Sequence, residues 1–167
     1  MTDAGQALAA LVGAGSDPAA TAAIFNDHRS AIDRVIGLVF THVSADLIEA
    51  EVPVGPQLLQ PYGLVHGGVY ATIVETLAST GAALSAMTRG QSTVGLENTT
   101  SFLQGTRGGT LRARATPLHR GRRTQVWSVE IRDDGGRVVS SGHVRMLCLE
   151  GGAAIAGESL ALRQGGE

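Results

Sequence analysis

One segment limits what this chain can fold into more than any other. Val69 to Thr88 is about 20 residues long and largely apolar, and Glu75 is the only acidic residue between His66 and Arg89. A run of that length could cross a bilayer. A central glutamate is costly in lipid, and Thr72, Thr76, Ser79, Thr80 and Ser85 accompany it. A helix that is apolar nearly all round can equally be buried inside a protein. Burial is the reading adopted. The helix is predicted from about Gly67 to about Met87, with Gly90 ending it.

Both sides of this helix read differently. Residues 1–16 are rich in Ala and Gly and suggest a loose arm or a frayed helix. Asp17-Pro18 supplies an N-cap followed by proline at the first helical position. Ile24, Phe25, Ala31, Ile32, Val35 and Ile36 then recur at helical spacing, which predicts one N-terminal helix. Val39 to Val43 and Leu47 to Val54 are β-branched runs around Ser44-Ala45-Asp46, a hairpin pattern. Pro53, Pro56 and Pro61 punctuate the loop that follows.

Beyond the long helix the sequence is strand. Thr93 to Leu103 is one candidate. Thr110 to Leu118 alternates Leu111, Ala113 and Ala115 with polar residues. Thr124 to Arg132 alternates Gln125, Trp127, Val129 and Ile131 with Val126, Ser128, Glu130 and Arg132. Asp133-Asp134-Gly135-Gly136 is a hairpin turn signal, and Arg137 to Leu149 is a last long strand. From Gly151 the Gly/Ala-rich chain reads as a mobile tail. Such a sheet has one apolar face, and one long helix can cover it. The fold class is therefore α+β, a curved antiparallel sheet wrapped around a central helix. One domain is expected: an arm and helix over 1–35, the sheet-and-helix body over 36–150, and a flexible tail over 151–167. Open edge strands need pairing or cover, which favours a homo-oligomer.

Composition removes several classes. The 167 residues suffice for one sizeable core. A net charge of -2 gives no global field to recruit nucleic acid. Cys148 is the only cysteine, so no intrachain disulfide forms and no Cys-rich metal site exists. His28, His42, His119 and His143 lack metal-ligand spacing. The start Met-Thr-Asp-Ala-Gly lacks a basic n-region, so a cytoplasmic protein is expected, with no membrane and no nucleic-acid partner.

The chemistry concentrates in Gln60-Pro61-Tyr62-Gly63-Leu64-Val65-His66-Gly67-Gly68 and the helix behind it. Gly67 has no side chain, so a carbonyl can approach its N–H closely. At a helix start that N–H is unpaired and the macrodipole adds positive potential. Glu75 has Val74 and Leu77 as neighbours, and partial desolvation would make it a stronger base. Ser79 lies four residues on, on the same face. Glu75 could instead pair with an arginine in the core. His66 has two open roles, a helix cap or a group in the chemistry. Tyr62 and Tyr70 could line a pocket or belong to the core. His119-Arg120-Gly121-Arg122-Arg123 joins two strands. Its arginines could grip phosphates, or the turn could simply be solvated. Arg107 is a weaker candidate for the same task.

The pattern Gln-Pro-Tyr-Gly-x-x-His-Gly-Gly, the glutamate nine residues after the histidine and the serine four beyond it resemble the hotdog-fold acyl-CoA thioesterases. The likeness is to the phenylacetate-pathway type of the 4-hydroxybenzoyl-CoA thioesterase superfamily, Glu branch, over about residues 36–149. The resemblance implies a hotdog fold and an acyl- or aryl-CoA substrate. It implies no separate cofactor, because coenzyme A is part of the substrate, and a dimer or dimer of dimers. It makes Glu75 the catalytic nucleophile or general base and Gly67 the donor to the thioester carbonyl. Gln60 orients that carbonyl, His66 supports the oxyanion region and Ser79 positions water or leaving group. Gly68 joins Arg120, Arg122 and Arg123 as substrate-binding. A hotdog enoyl-CoA hydratase and a non-catalytic acyl-CoA-binding protein are the rivals. Spacing adds one inference. Eight residues of helix separate Gly67 from Glu75 by about 12 Å, too far to serve one carbonyl, so a site would combine two chains.

Overall fold

The computed structural model describes residues 16–155 and 157–159. The expected loose arm over residues 1–16 lies outside them but for Ser16, as does most of the tail beyond Ser159.

Helix α1 (Pro18–Asp27) begins as anticipated, with the Asp17 side chain accepting from the Ala19 N–H. It does not run on to Ile36. The chain turns at His28 and restarts as α2 (Ala31–Ile36). The break has a local cause. Ser30 and Asp33 form a reciprocal capping box, which satisfies the first N–H groups of a new helix. The one long N-terminal helix predicted from spacing is thus two short ones. The Asn26 side chain holds them to the body, accepting from the Phe40 N–H at 2.8 Å and donating to the Phe40 carbonyl at 2.9 Å.

Strands β1 (Val39–Val43) and β2 (Ile48–Pro53) form the first hairpin. The long helix α3 (Gly67–Met87) follows. Then come β3 (Ser92–Phe102), β4 (Thr110–Arg120), β5 (Thr124–Arg132) and β6 (Val138–Leu149). Two short strands, β7 (Ala154–Ile155) and β8 (Glu158–Ser159), make a separate ladder. The main sheet has the order β1-β2-β4-β5-β6-β3, antiparallel throughout. The curved sheet wraps α3, as expected.

The alternation on β4 and β5 explains the packing. Leu111, Ala113 and Ala115 point inward, as do Gln125, Trp127, Val129 and Ile131, and all are buried. They meet Ile73, Val74, Leu77, Ala78 and Ala82 of α3. Gln125 is a buried polar residue that needs partners. It donates to the Ala82 carbonyl at 3.0 Å and accepts from the Trp127 indole N–H at 3.1 Å. Among the described residues no helix is long and apolar enough to cross a membrane. The burial reading of Val69–Thr88 therefore stands.

The two edges of the sheet are β1 and β3. The β3 edge is the more exposed, and Leu96 and Phe102 on it are each more than half accessible.

Candidate active site

His66 opens α3 as its N-cap. Its Nδ1 accepts from the Gly68 N–H at 2.9 Å, while its backbone N–H donates to the Leu58 carbonyl at 2.9 Å. A neutral imidazole that accepts at Nδ1 carries its proton on Nε2, so the ring offers a donor on its far side. The capping role is thus observed, and it leaves the second role intact. Gly67 is the first helical residue, and its N–H is among those with no partner in the helix.

The preceding loop is held in a fixed shape. The Gly63 N–H donates to the Gln60 carbonyl at 2.8 Å, and Gly63 has φ 71°, a conformation glycine adopts without strain. Arg107 donates to the Tyr62 carbonyl at 2.8 Å. Arg107 therefore fastens this loop from the β3–β4 connection. The Gln60 Oε1 accepts from the Tyr62 N–H at 2.9 Å. With its oxygen engaged, Gln60 presents its amide N–H groups as donors.

Gln60, His66 and Gly67 line one cavity of about 560 Å³, together with Tyr70, Phe102 and Leu103. The rings of Tyr70 and Phe102 lie 6.1 Å apart at 33°. Phe102 also covers the Gly67 Cα, where a Cβ would come within 2.9 Å of its ring. Burial pushes the Tyr70 phenol above its usual range, opposed in part by the Thr106 hydroxyl. Gly68, on the same helix start, is exposed.

Glu75 and Ser79 do not line that cavity. They stand two to three turns along α3, where Glu75 is half-buried. Ser79 Oγ donates to Glu75 Oε1 at 3.2 Å. The second partner is not foreseen from the motif: Asn98 Nδ2 on β3 donates to Glu75 Oε2 at 2.9 Å. Gly95 on the same strand leaves room for the carboxylate, since a Cβ there would sit 2.9 Å from Oε1. Among the described residues no arginine lies within ion-pair distance of Glu75, and its observed partners are neutral. The alternative of a structural Arg–Glu pair is not what the fold builds.

The arginine loop is elsewhere. The Arg122 carbonyl accepts from Gln91 Nε2 at 3.2 Å, which places the loop beyond the C-terminal end of α3. Arg120 is engaged by the β1–β2 turn, with Nη2 2.7 Å from Asp46 Oδ1 and Nη1 donating to the Ala45 carbonyl at 3.0 Å. Arg122 pairs with Glu150 at 3.3 Å, both largely exposed, an arrangement worth little in water. Arg123 is exposed. Among the described residues no cluster of His, Cys, Asp and Glu could hold a metal ion.

The functional candidates thus form two separate arrays on the described chain. One supplies N–H donors around a cavity: Gly67, Gln60 and His66. The other supplies a carboxylate held by two neutral donors.

Comparison with known proteins shows the family of the chain. The family model described as Thioesterase superfamily matches residues 62–140. Rv1847 of Mycobacterium tuberculosis, provisionally named an esterase, is 45% identical over 120 residues, 71% of this chain and 86% of that protein. Its solved structure superposes with a TM-score of 0.70, covering 71% of this chain and 96% of that one at 44% identity. The proofreading thioesterase EntH of Cronobacter sakazakii is 40% identical over 102 residues, 61% of this chain and 74% of that protein. The crystal structure of thioesterase HI1161 from Haemophilus influenzae has a TM-score of 0.69 at 29% identity, covering 77% of this chain and 87% of that one.

Proposed function

Since the chain belongs to the thioesterase superfamily and is a thioester hydrolase of the hotdog fold, we propose that its substrates are acyl- or aryl-coenzyme A thioesters, cleaved to the free acid and coenzyme A. The observation that carries this reading is Glu75. It is a half-buried carboxylate on a largely apolar helix, fixed by Ser79 and Asn98 and paired with no cation among the described residues. A structural carboxylate would find a cation or solvent. One held by neutral donors keeps a lone pair for chemistry.

The substrate carbonyl enters beside Gly67, where the helix-start N–H and the donors of Gln60 and His66 polarise it. Preorganised donors of this kind contribute about 3–4 kcal/mol to barrier lowering when correctly placed. Glu75 then either attacks the carbonyl carbon or takes a proton from a water that does. In both routes the tetrahedral oxyanion collapses, the C–S bond breaks, and the thiolate of coenzyme A takes up a proton. The water route yields the free acid directly, whereas direct attack leaves an acyl–Glu75 anhydride that a water then hydrolyses to the free acid and the regenerated carboxylate. No further cofactor enters, and coenzyme A arrives as part of the substrate.

Two copies build each site in this reading. Eight helical residues, about 12 Å of rise, separate Gly67 from Glu75, and Glu75 is absent from the cavity wall that Gly67 shares. The exposed β3 edge is a surface on which a second chain can bring its Glu75 to the first chain's Gly67. A dimer is the minimal unit, and a dimer of dimers extends it.

A panel of acyl-CoAs with free thiol as the readout tests the proposal. Thiol release that follows enzyme concentration is expected. Ligand retention without thiol release from any substrate would mean an acyl-CoA-binding protein. Loss of an enoyl chromophore without thiol would mean a hydratase.

A further inference from the structure

We propose that Asn98 is a positioning residue for Glu75, aimed by Thr100 and delivered to the helix by a bulge in β3. This inference rests on the reading of Glu75 as the catalytic carboxylate.

Strand register provides the first observation. Gly95 pairs with Met146 and Glu97 with Arg145, so Leu96 is an extra residue in β3. Met146 is buried and Arg145 is exposed. Gly95 therefore faces the helix, and Glu97 faces outward, where it pairs with Arg145 at 2.6 Å. Asn98 then pairs with buried Val144 and faces the helix again. In an unbroken strand, residues two apart share a face, so Glu97 would have followed Gly95 inward. A second carboxylate would then have met Glu75. The extra residue moves the alternation by one and presents an amide instead.

The hydrogen bonds around Asn98 are the second observation. Its Nδ2 donates to Glu75 Oε2 at 2.9 Å and to the Ala71 carbonyl at 3.1 Å. Its Oδ1 accepts from Thr100 Oγ1 at 2.6 Å. All three bonds agree on which end of the amide faces Glu75. Ser79 holds Oε1 from the helix and Asn98 holds Oε2 from the sheet, so the carboxylate is fixed from two directions. Gly95, Asn98 and Ser79 are the groups facing it, and none of them is charged. A carboxylate held in one rotamer before substrate arrives has less to reorganise during reaction.

Steady-state kinetics of Asn98 and Thr100 variants, each checked by thermal melting, tests this. Asn98→Ala is expected to lower kcat about tenfold, with KM within about twofold, the signature of an interaction used after binding. Asn98→Asp is expected to lower kcat further and move the acidic limb of the kcat–pH profile to higher pH, because a like charge beside Glu75 favours its protonated form. Thr100→Val should reduce kcat less than Asn98→Ala, and Thr100→Ser should restore it. An unchanged kcat in Asn98→Ala overturns the proposal. So does an Asn98→Asp profile that coincides with that of Asn98→Ala. Glu75→Gln, assayed beside them, separates the two levels. If it stays active, the reading of Glu75 itself is wrong and Asn98 has nothing to position. If it is inactive while Asn98 variants turn over normally, only the positioning role fails.

Discussion

The two halves of α3 contrast most clearly at their glycines. Gly67 opens the helix and Gly81 lies in its second half, and each has an aromatic ring against its Cα. At Gly67 the ring is Phe102, 59% exposed on the sheet edge. At Gly81 it is Trp127, wholly buried, and a Cβ would overlap it. The first glycine keeps a backbone N–H accessible beneath a side chain that can move. The second lets a large core residue close against the helix. One residue type thus serves the proposed carbonyl site at one end of the helix and packing at the other. Burial alone does not separate the halves, since Tyr70, Ile73, Val74 and Leu77 are buried in the first as Ala78, Gly81, Ala82, Leu84, Ser85 and Ala86 are in the second. What the first half adds is a less buried face carrying Gly68, Thr72 and Glu75.

The largest effect should come from the first half. Glu75→Gln is expected to keep the fold and acyl-CoA binding but to lower turnover at least about a hundredfold, the scale of losing an acid–base group. Near wild-type hydrolysis in the purified, folded variant would break the contrast at its functional end.

Mixing inactive variants sharpens the same half. One carries Glu75→Gln, the other a bulky residue at Gly67 that blocks the N–H. In a site shared between two chains, a mixed dimer has one doubly defective site and one intact site. Random exchange should restore activity to about a quarter of wild type per chain on that two-fold logic. Complete exchange with no recovery, both variants remaining folded and oligomeric, would show that each site belongs to one chain.

The second half should respond in stability rather than turnover. Gly81→Ala forces a methyl into the Trp127 ring. Overpacking of this kind costs about 1–3 kcal/mol. Denaturant unfolding should show that loss while kcat of the folded fraction stays near wild type. A lowered kcat with intact stability would mean that the two halves are not separate.

Legibility in the sequence follows the same line. The bounds of α3 are readable because a long, largely apolar run lies between His66-Gly67-Gly68 and Gly90, and those of β5 because its two-residue alternation ends at Asp133-Asp134-Gly135-Gly136. The motif from Gln60 to Gly68 marks the residues that the fold gathers at the start of α3, and the isolation of Glu75 marks the carboxylate proposed here as catalytic. Two features were hidden for physical reasons. The break between α1 and α2 was masked by apolar spacing on both sides, although Ser30 and Asp33 carried a capping signal. Asn98 was hidden by the β3 bulge, because alternation counted through Leu96 puts Glu97, not Asn98, on the helix side. Hydrogen-bonding register decides that, and register is a property of the neighbouring strand β6 as much as of β3.

The smallest effect is expected beyond the C-terminal end of the helix. We expect the Arg120–Arg123 loop to hold the phosphates of coenzyme A, and its arginines are unequally placed for that task. Arg120 is committed to Asp46 and the Ala45 carbonyl. Arg122 has only an exposed pair with Glu150, and Arg123 is exposed. Exposed pairs exchange at little cost, so a phosphate can take Arg122 from Glu150, and guanidinium–phosphate contacts are strong when bidentate. Replacing all three by Ala should raise KM for an acyl-CoA about tenfold, the size of one lost charge-assisted contact of roughly 1.5 kcal/mol, and leave KM for a pantetheine thioester nearly unchanged. The double variant at Arg122 and Arg123 should reproduce most of that rise, while Arg120→Ala alone should act mainly on thermal stability through the β1–β2 turn. Equal KM changes for both substrates would show that the loop does not read the nucleotide end. The C-terminal half of α3 would then support only packing.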